Sequence, residues 1–462
     1  MMYRAQGIDG SAAGERQIPL AACDSFAFGA DQTLPSSCDV AIIGGGIVGV
    51  SAAYYLARRG LHVVLCEKGR IAGEQSGRNW GWVRQQGRDL RELPLMIRSM
   101  ALWRGLGAEL GEDLGFTPGG CLYLAEDEAE LSYYERWLRG ARAYPLDSRM
   151  LATAELSQAL CSPQSRWIGA LYTASDGRAE PSRAAPALAR GAQRAGAQIY
   201  TACAVRGLAL AAGRVCGVVT EHGSIATNTV LCAAGAWTSM FSAAQGIDVP
   251  QLRVRGTVAR TAPAQKILNG AAYCSSVAIR RRADEGYTVA HGSRFDHSLA
   301  PASFRYAHKY WPALKQEQGA VRLRVGSDFF VALAQPRRWD LSQPSPFERE
   351  RVLKPAPDAG TLAQMRTALA SAFPQLAAAP FVECWAGTIE SSPDVLPIIC
   401  AVDRLPGFHV ATGFSGHGFG IGPAAGELCA DLVTGKASAD SLRHFTLTRF
   451  FDGSPIRPGP TI

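Results

Sequence analysis

The sequence predicts an α/β protein with a second, α+β part, and three observations predict this class. A short β-branched run at Val40–Ile43 is followed at once by closely spaced glycines and then by a helical pattern. A second apolar run at 61–66 ends in an acidic residue. Two further segments, 230–238 and 411–436, combine a buried strand pattern with small-residue turns. Strands that alternate with helices in this way are typical of parallel α/β units.

Length and composition describe an ordinary globular chain. Its 462 residues are enough for a large core and two structural domains. Hydrophobic residues make up 47% and charged residues 19% of the chain, as in most globular proteins. The formal net charge of +7 is spread over scattered arginines, so we expect no nucleic-acid partner.

Cysteine usage and apolar runs predict the compartment. The 12 cysteines show no metal-ligand spacing, and several, such as Cys66, Cys232 and Cys429, stand in apolar runs. This pattern favours a reducing, cytoplasmic compartment and predicts no metal site. The first residues lack a continuous apolar segment, and no run of about 18 apolar residues occurs, so we expect neither a signal peptide nor a membrane span.

The glycine turn after the first strand predicts a dinucleotide site. Gly44, Gly46 and Gly49 form GxGxxG, in which the glycines allow a tight turn, backbone approach to a pyrophosphate, and close helix–strand packing. The helix that follows offers free N–H groups to phosphate. Glu67 ends the second strand roughly 20 residues later, where a carboxylate can accept ribose hydroxyls. The remaining candidate contacts here are Ile47, Val48 and Lys68.

A polar, glycine-broken loop after Glu67 favours FAD over NAD. Such a loop suits a second phosphate clasp with side-chain hydrogen bonds and the charge of Arg78, whereas NAD-binding domains usually continue into a helix. The candidate contacts are Glu74, Gln75, Ser76, Arg78, Asn79, Trp80 and Gly81.

Two downstream segments add predicted flavin contacts. A helix that begins near Pro423 directs its positive end toward the preceding glycine-rich loop, where it would stabilise a reduced, anionic flavin. The candidate contacts are Ala234, Gly235 and Trp237 in the first segment, and Gly413, Phe414, Gly416, His417, Gly418, Gly420 and Ile421 in the second.

The motifs GGGIVG with Glu67, AAGAW and TGFSGHGFGIGPAAGE, in this order, resemble the signature of a known family. This is the D-amino-acid-oxidase-like superfamily of FAD-dependent amine and amino-acid oxidoreductases. The resemblance covers nearly the whole chain from Cys38 onward. Segments such as IAGEQSGR and RWDLSQPSPFERERV look most like the bacterial L-amino-acid deaminases, although the loop NWGWVRQQGRD differs from theirs and their N-terminal membrane-anchoring helix is lacking.

The resemblance implies a domain organisation. We expect a discontinuous Rossmann-type FAD-binding domain and a mixed-sheet substrate-binding domain, with an Arg- and aromatic-rich inserted module that forms a solvated face or subunit contact in preference to a membrane contact. The FAD-binding domain would take 36–100, 165–245 and 380–450, and the substrate-binding domain 101–164 and 246–379. The module is expected at 299–355, an N-terminal extension at 1–35 and a C-terminal tail at 451–462.

Further cofactor contacts are implied by the same resemblance. Val205 matches a family position whose backbone touches the adenine, with a plain sheet residue as the alternative. Gly387 lies in a family stretch beside the flavin. Sarcosine-oxidase-like members attach FAD through a cysteine further along this stretch, where Ser391 and Ser392 stand here. We therefore expect non-covalent FAD, and we expect Cys384 to be a buried, inert thiol.

Catalytic candidates follow from the chemistry of moving hydride from a substrate carbon to flavin. Arg280 falls on the carboxylate-binding arginine of the deaminases, with a surface charge cluster alongside Arg281 and Arg282 as the alternative. Gln85, with Trp82, Arg84 and Gln86, suits either substrate contacts or a structural network. The last candidates are Phe414 as an aromatic wall, His417 as a proton-transferring or loop-shaping residue, and Tyr287 and His291.

Together these features predict FAD-dependent oxidative deamination of a small amino acid. The imino acid would hydrolyse to keto acid and ammonia, with oxygen or another acceptor taking the electrons. Three alternatives stay open: a secondary-amine oxidase or dehydrogenase for sarcosine, proline-like or opine substrates, a flavin-binding subunit of a hetero-oligomer, and an NAD-binding dehydrogenase. Substrate hand, side-chain preference, electron acceptor and oligomeric state are not encoded in any motif.

Overall fold

The computed structural model describes residues 33–161, 166–316 and 319–460. Most of the expected N-terminal extension thus lies outside the described residues. Six strands form one sheet, in which only the edge strand β21 is antiparallel to its neighbour. In spatial order they are β21 (Ile398–Ala401), β22 (Phe408–Thr412), β13 (Val230–Cys232), β1 (Val40–Ile43), β2 (Val63–Cys66) and β9 (Gln198–Tyr200).

The glycine turn is built as its sequence requires. Gly44 has φ of 110°, a backbone conformation that residues with a Cβ rarely adopt. A Cβ on Gly49 would lie 2.1 Å from the Gly44 carbonyl oxygen, so only glycine lets the first helix start this close to the strand. That helix, Ile47–Arg58, is buried on nearly every side because two other helices, Pro181–Arg194 and Gly418–Val433, pack on it.

A second, mixed sheet of ten strands stands beside the first. Its longest pairing joins β14 to β20 in antiparallel register, from Leu252 opposite Ser391 to Thr261 opposite Phe381. The strands are β5 (Cys121–Ala125), β6 (Ser148–Ala152), β7 (Gly169–Thr173), β14 (Leu252–Thr261), β15 (Ala271–Tyr273), β16 (Ala278–Arg281), β17 (Tyr287–Ala290), β18 (Phe295–Ser298), β19 (Val321–Arg324) and β20 (Phe381–Ser391).

Two small antiparallel sheets and the helices complete the described chain. The small sheets are β10 (Val205–Ala211), β11 (Arg214–Thr220) and β12 (Gly223–Ala226), and β3 (Trp82–Val83), β4 (Thr117–Pro118) and β8 (Gly177–Arg178). The helices are α1 (Ile47–Arg58), α2 (Gln75–Arg78), α3 (Leu93–Leu110), α4 (Glu128–Ala141), α5 (Thr153–Ala159), α6 (Pro181–Arg194), α7 (Thr238–Ala244), α8 (Pro301–Arg305), α9 (Ala307–Gln316), α10 (Asp328–Ala334), α11 (Pro346–Arg349), α12 (Ala359–Ala372), α13 (Gly418–Val433) and α14 (Ala439–Leu442).

Two strands belong to a different sheet than their predicted domain segment. We expected 165–245 and 380–450 in the FAD-binding part, yet β7 pairs with β5 and β6, and β20 pairs with β14 in the ten-stranded sheet. The reason is that the pattern of apolar and polar residues along a strand indicates which face is buried, but not which other strands it pairs with. The other proposed domain limits remain a prediction.

The predicted inserted module divides into two parts. Its first part, α8 to α10, carries strongly exposed apolar side chains, among them Phe304, Val325 and Phe330. Its last part folds back on the six-stranded sheet, where Phe347 packs against Trp237 and Phe241. Within the described residues, no helix combines the length and apolarity needed to cross a membrane.

Candidate active site

A small cavity of about 100 Å³ opens at the carboxyl ends of β1 and β2. This edge of a parallel sheet is where α/β folds bind nucleotides. Of the predicted cofactor contacts, eleven line it: Gly44, Gly46, Glu67, Lys68, Glu74, Gln75, Ser76, Val205, Ala234, Gly235 and Trp237.

The acidic residue at the end of β2 is tied to the glycine turn. The Glu67 carboxylate accepts hydrogen bonds from the backbone N–H groups of Gly45 and Gly69, each at 2.7 Å. Burial raises the pKa of Glu67. The ammonium of Lys68 lies 3.1 Å from Glu74 and 4.1 Å from the centre of the Trp237 ring, so this wall of the cavity is fixed by charge and stacking.

A larger cavity of about 480 Å³ adjoins the first, and Gly46, Gln75 and Gly235 line both. One end is formed by the polar loop after α2 and by the loop before α13, which turns sharply at Gly413 and Gly416 with φ of 70° and 86°. The predicted cofactor contacts that line the larger cavity alone are Ile47, Val48, Arg78, Asn79, Trp80, Gly387, Phe414, Gly416, His417 and Gly418.

The far end of the larger cavity is lined mainly by apolar side chains, and the polar residues His297 and Ser303, which also line it, hydrogen-bond to each other at 2.8 Å. Its wall is formed by β14 and β18 together with α8, α9 and β19 from the first part of the inserted module. The side chains there include Leu252, Val254, Phe295, Leu299, Phe304, Leu314 and Leu323.

Five predicted cofactor contacts lie outside both cavities. Gly49 and Gly81 support the turns beside them, and the N–H of Gly81 donates to Asn79 Oδ1 at 2.7 Å. The Gly420 carbonyl accepts hydrogen bonds from Ser99 and Trp103 on α3 at 2.7 and 2.8 Å. The other two, Gly413 and Ile421, pack against Ile398 and into the core. These residues support the elements that form the cavity walls and do not line the cavities themselves.

Arg280, expected to bind a substrate carboxylate, does not line the cavity. Its fully buried guanidinium donates to Glu180 at 2.8 and 3.3 Å and to Thr288 at 3.0 Å. A buried carboxylate therefore already occupies its binding face. The surface-cluster alternative also fails for Arg280, because its side chain is only 1% exposed.

The loop after α2 divides between the two roles that its sequence left open. The Gln85 amide donates to Ser175 at 3.1 Å and to Asp176 at 3.3 Å, and Gln86 accepts a hydrogen bond from Thr173 at 2.9 Å. Gln85 is therefore part of a structural network, which is the second of the two roles expected for it, and not a substrate contact. Trp82 and Arg84 line the larger cavity.

The positions of Cys384, Tyr287 and His291 differ from what was expected. Cys384 is exposed, not buried, and desolvation still raises its pKa, so it is no thiolate. Tyr287 lies in the core of the ten-stranded sheet, with its hydroxyl bound to Gln265 and Ile267. Neither Tyr287 nor His291 lines the cavity.

A buried charged cluster lies where α13 begins. His417 lines the cavity, and its Nδ1 lies 3.0 Å from Oε2 of the fully buried Glu92. Burial and the charge of Arg88 lower the pKa of His417 to about 4, so the ring is neutral at pH 7. Burial opposes ionisation of Glu92, but the charge of Arg88 and the hydrogen bond from His417 lower its pKa. A neutral imidazole must then donate from Nδ1 to Glu92, which leaves Nε2 as an acceptor.

Two cationic side chains accompany this cluster in the larger cavity. Arg88 donates from Nε to the Arg84 carbonyl at 3.1 Å, and its Nη1 lies 3.8 Å from Glu92 without a hydrogen bond among the described residues. Arg84 lies over the Tyr123 ring at 5.6 Å. Arg88 and Glu92 were not among the residues predicted from sequence, although their i, i+4 spacing at the start of a helix was a usable signal.

Glu390 on β20 was not predicted from sequence either. It lines the larger cavity and is only 2% exposed, and its Oε2 has no hydrogen-bond partner among the described residues. An acidic residue within an apolar strand was the available signal. Only the two serines that follow it, Ser391 and Ser392, entered the prediction.

The joined cavities fit FAD. A Cβ on Gly44 would lie 2.5 Å from the Ala233 carbonyl oxygen, and one on Gly46 would lie 3.3 Å from Ser76 Oγ, so the close turn that borders the small cavity depends on glycine at both positions. The N-terminus of α1 lies where the two cavities join, and that of α13 faces the larger one, as suits a pyrophosphate and an electron-rich ring. When bound, FAD supplies the hydride-accepting chemistry that no side chain has.

Comparisons with known proteins agree with this geometry. The family model described as FAD dependent oxidoreductase (DAO) matches residues 39–432. The structure of an L-amino acid deaminase from Proteus myxofaciens, in complex with anthranilate, is 34% identical and superposes with a TM-score of 0.88, covering 92% of this chain and 96% of that one. Glycine oxidase from Geobacillus kaustophilus is 26% identical over 432 residues, which is 89% of this chain and 97% of that protein.

A third relative matches over a shorter region. Mitochondrial sarcosine dehydrogenase from Mus musculus is 32% identical over 231 residues, 48% of this chain, and the match spans 25% of that protein. The expected α/β fold with a Rossmann-type domain, the family resemblance and FAD as cofactor are thereby confirmed. The chain belongs to the FAD dependent oxidoreductase (DAO) family and is an FAD-dependent oxidoreductase.

Proposed function

We propose that the protein oxidises the Cα–N bond of an L-α-amino acid with an apolar side chain. The imino acid formed would hydrolyse to a keto acid and ammonia, and oxygen or another acceptor would take the electrons from the cofactor. The observation that carries this proposal is the larger cavity, which combines two arginines and a neutral histidine at one end with an apolar wall at the other.

Arg84 and Arg88 are the proposed carboxylate-binding residues, in place of Arg280. Both are buried in the cavity wall, and Arg88 Nη1 has no hydrogen bond among the described residues. Guanidinium groups bind carboxylates through paired N–H donors, and a dry site makes this interaction strong. The anthranilate of the Proteus myxofaciens complex is itself a carboxylate, which supports a carboxylate site in this fold.

His417 is the proposed hydrogen-bond acceptor for the substrate amino group. Hydride transfer from Cα needs a free lone pair on the substrate nitrogen, so the amino acid would lose its ammonium proton to water and react as the neutral amine. An N–H of that amine would donate to His417 Nε2, while Glu92 accepts from Nδ1 at 3.0 Å and fixes the ring. Because the pKa of His417 is only about 4, we propose a positioning role for it in place of the proton-transferring role considered from sequence.

The apolar wall is the proposed side-chain site. Residues such as Val254, Phe295 and Leu299 offer no polar partner, so they would favour an apolar substrate side chain and exclude water from the reacting atoms. Phe414 lies at the boundary between the polar and apolar ends. The similarity to Proteus L-amino acid deaminases, at 34% identity for one of them, supports the L-form.

Product analysis tests this proposal. The holoenzyme is supplied with an artificial electron acceptor and, in turn, apolar L-amino acids, their D-forms, sarcosine and proline. We expect keto acid and ammonia in equal amounts from the L-amino acids. Turnover of sarcosine or proline alone would instead identify a secondary-amine dehydrogenase, and a flavin-loaded protein inactive with every substrate would favour a partner-dependent subunit.

A further inference from the structure

Glu390 carries a carboxyl oxygen that no group of the described chain satisfies. The residue lies on β20 with 2% of its surface exposed, and it lines the larger cavity. Its Oε2 is fully buried and has no hydrogen bond among the described residues. Buried polar atoms are nearly always paired, because an unpaired one keeps its full desolvation cost. We therefore expect a donor from outside the protein chain.

The position of this carboxyl is set by two donors. The Gln75 side chain and the Phe414 backbone N–H both hydrogen-bond to Glu390. Gln75 lines both cavities, whereas Phe414 belongs to the loop before α13 and lines only the larger one. Glu390 thus lies between the passage that joins the cavities and the loop predicted to contact the flavin.

Among the described residues, no cation forms a salt bridge with Glu390, although the charge of Arg253 lies near it. Arg253 is its cross-strand partner, but that guanidinium donates to the Ala236 carbonyl at 3.0 and 2.5 Å and lies 5.0 Å from the Trp237 ring centre. The nearby charge of Glu74 acts against ionisation. Burial raises the pKa of Glu390 to about 7.

We propose that Glu390 is a cofactor-positioning residue whose free carboxyl oxygen accepts a hydrogen bond from the ribityl or flavin portion of FAD. That portion carries the donors required, namely the ribityl hydroxyls and the flavin N3–H. The ADP portion would remain in the small cavity, which Glu390 does not line. The inference rests on FAD binding and is independent of which amine is oxidised.

A comparison of FAD and ADP binding isolates this role. Apoprotein carrying Glu390→Gln is titrated with FAD, followed by flavin fluorescence, and with ADP, followed by calorimetry. Gln75 and Phe414 both donate and would hold the amide oxygen, so the amide N–H₂ would replace the acceptor that faces the cofactor. We expect the Kd for FAD to rise roughly tenfold or more while the Kd for ADP stays unchanged.

The matched control is Glu383→Gln on the same strand, where the carboxylate pairs with Arg260 near the surface. It should change neither Kd. The visible spectrum of bound FAD provides a second measurement, and it should shift in Glu390→Gln but not in the control. An unchanged Kd for FAD in Glu390→Gln would overturn the proposal, and so would an equal loss of FAD and ADP affinity, which would mean a general effect on the fold.

Discussion

At the scale of single residues, the partner of a buried charge decides its role. Arg280 and Arg88 are both buried, but Glu180 saturates one face of Arg280, whereas Arg88 lines the cavity and its Nη1, 3.8 Å from Glu92, makes no hydrogen bond among the described residues. From the sequence, Arg280 was expected to bind a carboxylate, and it does bind one, although that carboxylate belongs to Glu180. The sequence could not reveal Glu180, which lies 100 residues away along the chain.

Removing the proposed carboxylate site should weaken substrate binding. We expect Arg88→Met to raise KM for an amino acid roughly 100-fold, because a buried charge pair is lost. The control is Arg98→Met, whose side chain pairs with Glu427 at the surface and should change KM less than about twofold. An unchanged KM in the Arg84→Met/Arg88→Met double variant would contradict the assignment.

Arg280 should affect stability and not substrate binding. Arg280→Met leaves Glu180 buried without its partner, so we expect the free energy of unfolding to fall by about 3–5 kcal/mol. The double variant Arg280→Met/Glu180→Leu should recover part of that loss, as measured by denaturant unfolding. A large rise in KM in the folded Arg280→Met protein would return Arg280 to the active site.

Because one carboxyl oxygen of buried Glu390 has no hydrogen-bond partner among the described residues, the stability of the apoprotein should depend on pH. The pKa of Glu390 is raised to about 7 in the folded protein, so the folded state binds the proton more tightly than the unfolded state does. The loss of folding stability caused by ionising Glu390 is absent below its pKa in the unfolded state, about 4.3, and complete above pH 7. We expect Glu390→Gln apoprotein to exceed the parent in stability by a few kcal/mol at pH 8 and to match it near pH 4. If the Glu390→Gln apoprotein and the parent were equally stable at pH 8, both carboxyl oxygens of Glu390 would have to be paired.

At the scale of elements, the glycine motifs were the most predictable part of the site. The turn at Gly44 and the loop at Gly413 need conformations that few other residues adopt, and such needs are written locally in sequence. The strand β20 was less predictable. Its residues match a family stretch, but its pairing with β14 depends on contacts more than 100 residues apart, which alternation cannot encode.

The close start of α1 gives a prediction about one glycine. Gly49→Ala places a Cβ 2.1 Å from the Gly44 carbonyl oxygen, so we expect a lower Tm and loss of bound FAD. Gly105→Ala in α3 is the matched control, because a Cβ there meets nothing within 4 Å. The control should be neutral or stabilising by up to about 1 kcal/mol. Full FAD content in Gly49→Ala would contradict this account of the turn.

At the scale of the whole molecule, the site lies between elements that are distant in sequence. The larger cavity draws on α1, the loop after α2, β14, β18 and the start of α13. Sequence predicted the cofactor side of this arrangement because its motifs are local. It did not predict the cluster of Arg88, Glu92 and His417, since Glu92 and His417 meet only when α13 packs beside α3, 325 residues later in the chain.

The most direct measurement of the central claim is an anaerobic titration of the holoenzyme, followed by its visible flavin spectrum. We expect apolar L-α-amino acids to bleach the oxidised flavin, with one keto acid and one ammonia released for each flavin reduced. Their D-forms, sarcosine and proline should leave the spectrum unchanged over the same time. A flavin spectrum that no α-amino acid bleaches, in protein shown to carry FAD, would contradict the proposed oxidation of an amino acid.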